Sequence, residues 1–301
     1  MKVYHLSYAD NIGGAAKATF RVHKALKKYG INSKILVNKS ITNDPDIIYP
    51  NNLFEKNYIK LKPRLIKVLS NFLITKNQSL HSPSLIPSNW HKIVNNSNVD
   101  IVNLHWVQKE MISIKNISQI RKPLVWTFHD MWPFCGAEHV SSDNRWINGY
   151  KKNNRPDYES GFDLNKFIWI KKLKFWNKSF SIITPSKWMA ECVHKSFLFK
   201  NSKVKVIPHC IDLDFWSPIN KKGAKELLGI QKDIPLLLAG TLNSNDEPNK
   251  GFDLLKKSLS IFEKYNLKVN IAVFGQKEKY SQNNLSKEIL YLGTINEETK
   301  M

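Results

Sequence analysis

The run Val3-Tyr4-His5-Leu6-Ser7-Tyr8, followed by Gly13-Gly14 and a long helical pattern, decides how this chain is read. The first run is strand-like, and the two glycines turn it into a helix. Glycine lets a backbone come close to a ligand, and the exposed N–H groups at a helix start attract phosphate. Ala18, Val22, Ala25, Leu26 and Tyr29 share one face at helical spacing, with Lys17, Lys24, Lys27 and Lys28 largely elsewhere. Gly30 stands where a left-handed cap is expected. Ala15 and Ala16 follow the glycines, so no full GxGxxG fingerprint is present. The place of the turn still points to a ligand, because ligands of open α/β sheets gather at the carboxyl ends of strands.

A second stretch, Asp246-Glu247-Pro248-Asn249-Lys250-Gly251-Phe252, complements the first. Pro248 and Gly251 make it a turn, and a helix begins at Phe252-Asp253-Leu254-Leu255. Lysine is a mobile point charge suited to phosphate, although any exposed turn lysine reads alike. Taken together, the glycine turn and Lys250 suggest an enzyme that clamps a diphosphate-bearing substrate between two domains. No GxxxxGK[ST] loop and no GxSxG elbow occurs, which argues against a P-loop NTPase and an esterase-type nucleophile.

Working outward, strands are expected at about 2–8, 33–38, 99–105, 123–129, 181–185, 204–208, 235–240, 269–275 and 289–293. Leu236-Leu237-Leu238-Ala239 and Ile182-Ile183 are apolar without alternation, as in parallel strands covered on both faces. The class is therefore α/β, doubly wound. Residues 1–208 read as one domain, with an irregular insertion at about 51–98 broken by Pro63, Pro83 and Pro87. Leu65, Val68, Leu69 and Phe72 in it have amphipathic spacing, for packing on the parent domain or as an acceptor- or membrane-facing flap. A hinge is expected over 209–222 and a second domain over 223–301. That second domain has fewer strands than a doubly wound domain of ordinary size, so a partial unit is expected.

The 301 residues carry 46 Lys+Arg against 25 Asp+Glu, a net charge of +21. This favours anionic partners, but no five-residue basic block stands out, and nucleic acid is not expected as one. Cys135, Cys192 and Cys210 are widely spaced, with no CxxC pair for zinc or a disulfide framework. Met1-Lys2-Val3-Tyr4-His5 enters a strand directly, so no signal peptide is expected, and no 18-residue apolar run predicts a membrane span. These features fit a cytoplasmic protein.

His129-Asp130 ends the run Leu124-Val125-Trp126-Thr127-Phe128, which puts His129 at the carboxyl end of a strand. A neutral imidazole there can hydrogen-bond a sugar hydroxyl or move a proton; it can equally be a histidine satisfied within its loop. The following Met131-Trp132-Pro133-Phe134-Cys135-Gly136-Ala137-Glu138-His139 offers aromatic faces, with Glu138 and His139 as hydroxyl ligands. No spacing supplies a third metal ligand, so no metal site is expected. The basic, aromatic stretch 167–178 fits a buried cross-over helix better than a membrane-surface helix.

At this point the residues resemble the glycosyltransferase family 4 enzymes of bacterial polysaccharide synthesis, of two-domain GT-B fold. The subgroup most similar is that of colanic-acid-type glycosyltransferases. The resemblance is carried by Gly13-Gly14-Ala15-Ala16, Asp100-Ile101-Val102-Asn103-Leu104-His105-Trp106, Trp126-Thr127-Phe128-His129-Asp130-Met131-Trp132 and Cys135-Gly136-Ala137-Glu138-His139. Thr184-Pro185-Ser186-Lys187-Trp188, Ile207-Pro208 through Ile211-Asp212, and Asn249-Lys250-Gly251-Phe252-Asp253-Leu254-Leu255 continue it in the expected order. It implies transfer of a sugar from a nucleotide-diphosphate donor to a glycan or lipid-linked acceptor, with retention and with no metal or other cofactor required. Gly13 and Gly14 would form the loop near the donor phosphates and acceptor. His129 would lie near the transferred sugar, and Lys250 would neutralise the leaving diphosphate. Asp130, Glu138, His139 and Ser186 are further binding candidates, as are Gly240 and Thr241, where many members carry an arginine. His209 replaces an asparagine common after Ile-Pro, and a later glutamate pair lies beyond Met301. A chain impaired in donor binding is therefore expected. The alternative is a non-catalytic binding or assembly component whose basic surface docks on partner enzymes or on anionic membrane.

Overall fold

In the computed structural model, residues 1–231, 233–240, 251–265, 268–275 and 289–295 are described. They fall into two compact units, Met1–Asp212 and Leu213–Met301. Both are α/β with a parallel main sheet, the class that the unalternating apolar runs predict.

The first unit is built on seven strands: β1 Lys2–Ala9, β2 Asn32–Lys39, β3 Ile47–Ile48, β5 Ile101–Leu104, β6 Leu124–Thr127, β8 Ser181–Thr184 and β9 Lys203–Val206. Their order is β3-β2-β1-β5-β6-β8-β9, and every pairing is parallel. The chain steps outward from β1 to β3, then returns to β5 on the other side of β1. That reversal opens a crevice at the carboxyl ends of β1 and β5, where ligands of such sheets bind. Two short strands, β4 Leu73–Thr75 and β7 Glu159–Gly161, pair antiparallel beside the main sheet. Neither was legible, since a three-residue pairing leaves no periodic signal.

Helices cover the sheet: α1 Gly14–Lys28, α2 Leu53–Ser70, α3 Trp90–Asn96, α4 Ile114–Ser118, α5 Arg145–Asn148, α6 Leu164–Phe175 and α7 Lys187–Lys195. The core joins strand residues Leu6, Leu36, Leu104, Trp126 and Ile182 to an aromatic cluster of Phe128, Trp132, Trp176, Phe180 and Phe199. Helix α6 is the expected cross-over helix, with Leu164, Ile168 and Trp169 buried. Its buried Lys172 is unexpected. The ammonium donates to the carbonyls of Trp132, Cys135 and Gly136 and lies 3.8 Å from the Trp132 ring centroid. Burial lowers its pKa to about 7.

Three local expectations need correction. The buried face of α1 is Ala16, Ala18, Thr19 and His23, while Tyr29 is exposed. His23 is held by Ser33 Oγ at 2.8 Å, and a partnered imidazole can replace an aliphatic side chain in a core. Pro63 does not break the insertion. Helix α2 continues through it, giving up the bond that its N–H would have made to the carbonyl of Ile59. Packing of the Leu65-Val68-Leu69-Phe72 stripe fails at three of four positions: Leu69 meets the core, but Leu65, Val68 and Phe72 are exposed. The expected left-handed cap is present, with Gly30 at φ +74°.

The second unit contains α8 Lys221–Leu227, β10 Leu236–Gly240, α9 Phe252–Lys264, β11 Asn270–Phe274 and β12 Ile289–Gly293. Its strands form a parallel sheet in sequence order over a small core of Leu259, Ile271, Ala272 and Val273. Among the described residues no helix is long and apolar enough to cross a membrane.

Candidate functional site

The carboxyl ends of β1, β5 and β6 lie side by side, because β5 pairs with both of its neighbours. Backbone bonds lock this rim: His105 N donates to Leu6 O at 2.9 Å and Tyr8 N to Trp106 O at 2.8 Å. Asp10, just after β1, accepts from the N–H groups of Ile41 and Thr42 and from the hydroxyls of Ser40 and Thr42. It thereby ties the β1 and β2 loops together. Burial alone would raise its pKa, but these donors hold it below the usual carboxylate value.

Gly13 follows on this loop at φ +83°, ψ +167°, a conformation that side-chain-bearing residues rarely adopt. Both glycines are exposed, with open space where a Cβ would stand. Helix α1 has no side-chain cap and no acidic residue in its first turn, so its leading N–H groups keep their preference for an anion.

His129 stands at the end of β6, linked to a chain of imidazoles. His129 Nε2 is 3.0 Å from His105 Nδ1, and His105 Nε2 is 3.0 Å from His5 Nδ1. Burial lowers all three pKa values: His5 to about 3, His129 to about 4 and His105 well below its ordinary value. Each ring is therefore neutral at pH 7 with one N–H, and two N–H groups must serve the two contacts. Only two arrangements do this. One leaves an N–H of His5 buried without an acceptor, because His5 Nε2 has no partner. The other leaves a bare nitrogen there and places the third N–H on His129 Nδ1. Orphaned buried N–H donors are rarer than under-satisfied acceptors, so the second is favoured. His129 then presents a donor away from the chain. The His209 ring stacks on His129 with centroids 5.1 Å apart. Partial desolvation and the nearby Arg21 charge lower the His209 pKa as well, although the residue is exposed.

Asp130 is held differently. Its Oδ2 accepts from Trp106 Nε1 at 2.8 Å and His139 Nδ1 at 2.6 Å, and its Oδ1 from Trp132 N at 3.0 Å. Despite burial, the paired His139 and these donors lower its pKa. His139 Nε2 in turn accepts from Ser82 Oγ at 2.9 Å. The order Ser82–His139–Asp130 is that of a nucleophilic triad. Here Ser82 and His139 are both buried, and Ser82 is fixed at its carbonyl by Trp132 Nε1 and at its N–H by Ala137 O. The set is a brace that fixes Asp130 beside the imidazole chain. Glu138 is also buried, accepting from Tyr150 Oη, and burial raises its pKa.

Ser186 caps α7, accepting from Met189 N at 3.2 Å. Gly240 ends β10, where a Cβ would lie 2.3 Å from the Phe274 ring, so packing alone requires glycine. Thr241 and Lys250 lie outside the described residues. His23, Asp44 and Asp46 approach metal-site spacing, but Lys24 and Lys27 pair with the two carboxylates. A cavity of about 730 Å³ between α2 and α3, lined by Tyr49, Tyr58, Lys62 and Trp90, contains none of the predicted site residues.

Sequence reasoning missed His5 and Arg21 and gave His105 no role of its own. His105 had a usable signal, since it follows the carboxyl end of β5 as His129 follows that of β6.

Several solved structures are similar at low identity. S. aureus TarM, a mutant solved with fondaparinux, α-GlcNAc-glycerol and UDP, matches at 10% identity and TM-score 0.49, over 98% of this chain and 78% of that one. WaaG, a glycosyltransferase of lipopolysaccharide biosynthesis, matches at 11% and 0.48, over 98% and 70%. The trehalose 6-phosphate synthase of Burkholderia multivorans matches at 11% and 0.42, over 99% and 74%. No curated protein matches the chain. Residues 12–215, more than half of the sequence and inclusive of the glycine turn, His105, His129 and His209, match the profile of Glycosyltransferase Family 4. The chain belongs to that family.

Proposed function

We propose that this chain is a retaining glycosyltransferase that moves a sugar from a nucleotide-diphosphate donor to a glycan or lipid-linked acceptor in the cytoplasm, at the membrane surface. The observation that carries this reading is the imidazole chain that runs from His5 of β1 through His105 to His129, at the rim of the sheet in a member of this family. A neutral ring with a pKa near 4 is a poor base at pH 7. A donor N–H on Nδ1 suits it instead to hold a hydroxyl of the transferred sugar. The bare α1 N-terminus would receive donor phosphate or acceptor oxygen.

In the reaction, the bond between the sugar's anomeric carbon and the diphosphate oxygen breaks, and its electron pair leaves with the diphosphate. The acceptor oxygen bonds to that carbon, and its proton departs to the diphosphate. Charge grows on the leaving oxygens, and Lys250 would stabilise it most in the transition state. No metal is needed in this scheme.

The test is incubation with a panel of nucleotide-diphosphate sugars, reading nucleoside diphosphate release and the anomeric configuration of the product. Release with a retained configuration is expected. An inverted product would overturn retention, and absence of release with every donor would overturn the transferase reading.

A further inference from the structure

Helix α2 is arranged inside out. Its one fully buried side chain is Lys62, whose Nζ donates to the Glu110 carbonyl at 3.1 Å and lies 4.9 Å from the Tyr58 ring centroid. Its apolar residues Phe54, Leu61, Leu65 and Val68 are exposed, Phe54 by 82% and Val68 by 60%. At 100° per residue these four fall within one narrow stripe. Exposed Phe72 in the following turn and Ile74 on β4 continue the apolar surface beyond the helix. The helix is nonetheless anchored, through Lys62, through Leu69 in the core and through Tyr58 Oη donating to Pro87 O at 3.3 Å. The stripe is thus a face turned outward by a docked helix.

Charge identifies what covers it. Helix α2 carries five Lys or Arg against one acidic residue, Glu55. Lys56, Lys60, Arg64 and Lys67 are exposed and follow one flank of the stripe, while Glu55 lies off it. A second copy of the chain would bring two such flanks together, in a protein of net charge +21. An anionic bilayer neutralises the flank and accepts the apolar side chains at its interface.

We infer that α2 is a docking helix for an anionic lipid surface, with Phe54, Leu61, Leu65, Val68 and Phe72 entering the headgroup region and Lys56, Lys60, Arg64 and Lys67 facing the phosphates. This deepens the membrane contact of the proposed function by assigning it to one helix face. It also gives a lipid-linked acceptor a reason to meet this unit.

The test is co-sedimentation of the full chain with vesicles of phosphatidylcholine alone or with added phosphatidylglycerol. Leu65→Glu/Val68→Glu and Lys60→Glu/Arg64→Glu are compared with wild type, alongside sedimentation velocity and nucleoside diphosphate release without acceptor. Wild type is expected to bind only the anionic vesicles, and each double variant to bind at least about tenfold more weakly. All three chains should release nucleoside diphosphate at the same rate. Variants that bind as wild type does, or a wild type that binds no vesicle, would overturn the assignment. A wild-type dimer that Leu65→Glu/Val68→Glu splits, without vesicle binding, would assign the stripe to a second copy and overturn it too. Loss of vesicle binding with unchanged release leaves the transferase reading intact. Vesicle binding by a chain that releases nothing defeats that reading alone.

Discussion

His129 Nε2 lies 3.0 Å from His105 Nδ1, and this contact decides which nitrogen of the site histidine carries its proton. His105 is therefore a positioning residue. His105→Phe keeps an aromatic ring in the buried site but frees the His129 tautomer. kcat is expected to fall by about tenfold or more, with KM changed less than about threefold. In a ¹⁵N-histidine spectrum, His129 should change from one tautomer to a mixture. A purely structural role for His105 would lower stability and leave that signal unmoved.

Acid should unfold this protein through the same rings. The pKa values of His5 and His129 stand at about 3 and about 4 in the fold, below the ordinary value of about 6.5. Between these limits the unfolded chain binds more protons than the folded one. Stability is then full above about pH 7 and falls as pH drops from about 6.5 toward 4, by about 1.4 kcal/mol per pH unit for each histidine. Urea denaturation at a series of pH values measures this. His5→Phe should reduce the slope.

The two glycines of the turn should separate in their effects. Gly13 needs its positive φ, so Gly13→Ala is expected to cost about 1–2 kcal/mol despite open space around it. It should also weaken nucleotide-sugar binding. Gly14 is the first residue of α1 and does not have a positive φ. Gly14→Ala should be neutral or stabilising by about 0.5–1 kcal/mol. Denaturation and titration calorimetry distinguish the two.

Much of this was legible because burial on both sheet faces writes itself into the sequence. Leu236-Leu237-Leu238 and Ile182-Ile183 mark strands β10 and β8 without any partner being known. The carboxyl-end rule likewise placed His129 at the rim. What stayed hidden depends on register across distant strands. Val3 pairs with Ile101 and His5 with Asn103, so only the folded sheet carries His105 back over His5. Spacing alone could not tell that the α2 stripe faces outward either. Amphipathic periodicity gives a face, and what lies against that face is a tertiary fact. Burial of Lys62 in place of those leucines rests on one carbonyl acceptor, that of Glu110, far along the chain.

Gly240 tests a purely steric reading. Gly240→Ala should destabilise the second unit by about 1–3 kcal/mol, because the Phe274 ring must shift. Gly240→Ala combined with Phe274→Leu should recover much of that loss. A loss of nucleotide-sugar affinity that persists in the double variant would instead mark a ligand contact at Gly240.

The most direct measurement is nucleoside diphosphate release from the preferred nucleotide sugar by wild type, His129→Ala and Lys250→Ala, with secondary structure checked by circular dichroism. Both variants are expected to fold as wild type does and to lose about a hundredfold in kcat. A folded His129→Ala chain that turns over at the wild-type rate would contradict the assignment of the imidazole chain to the reaction.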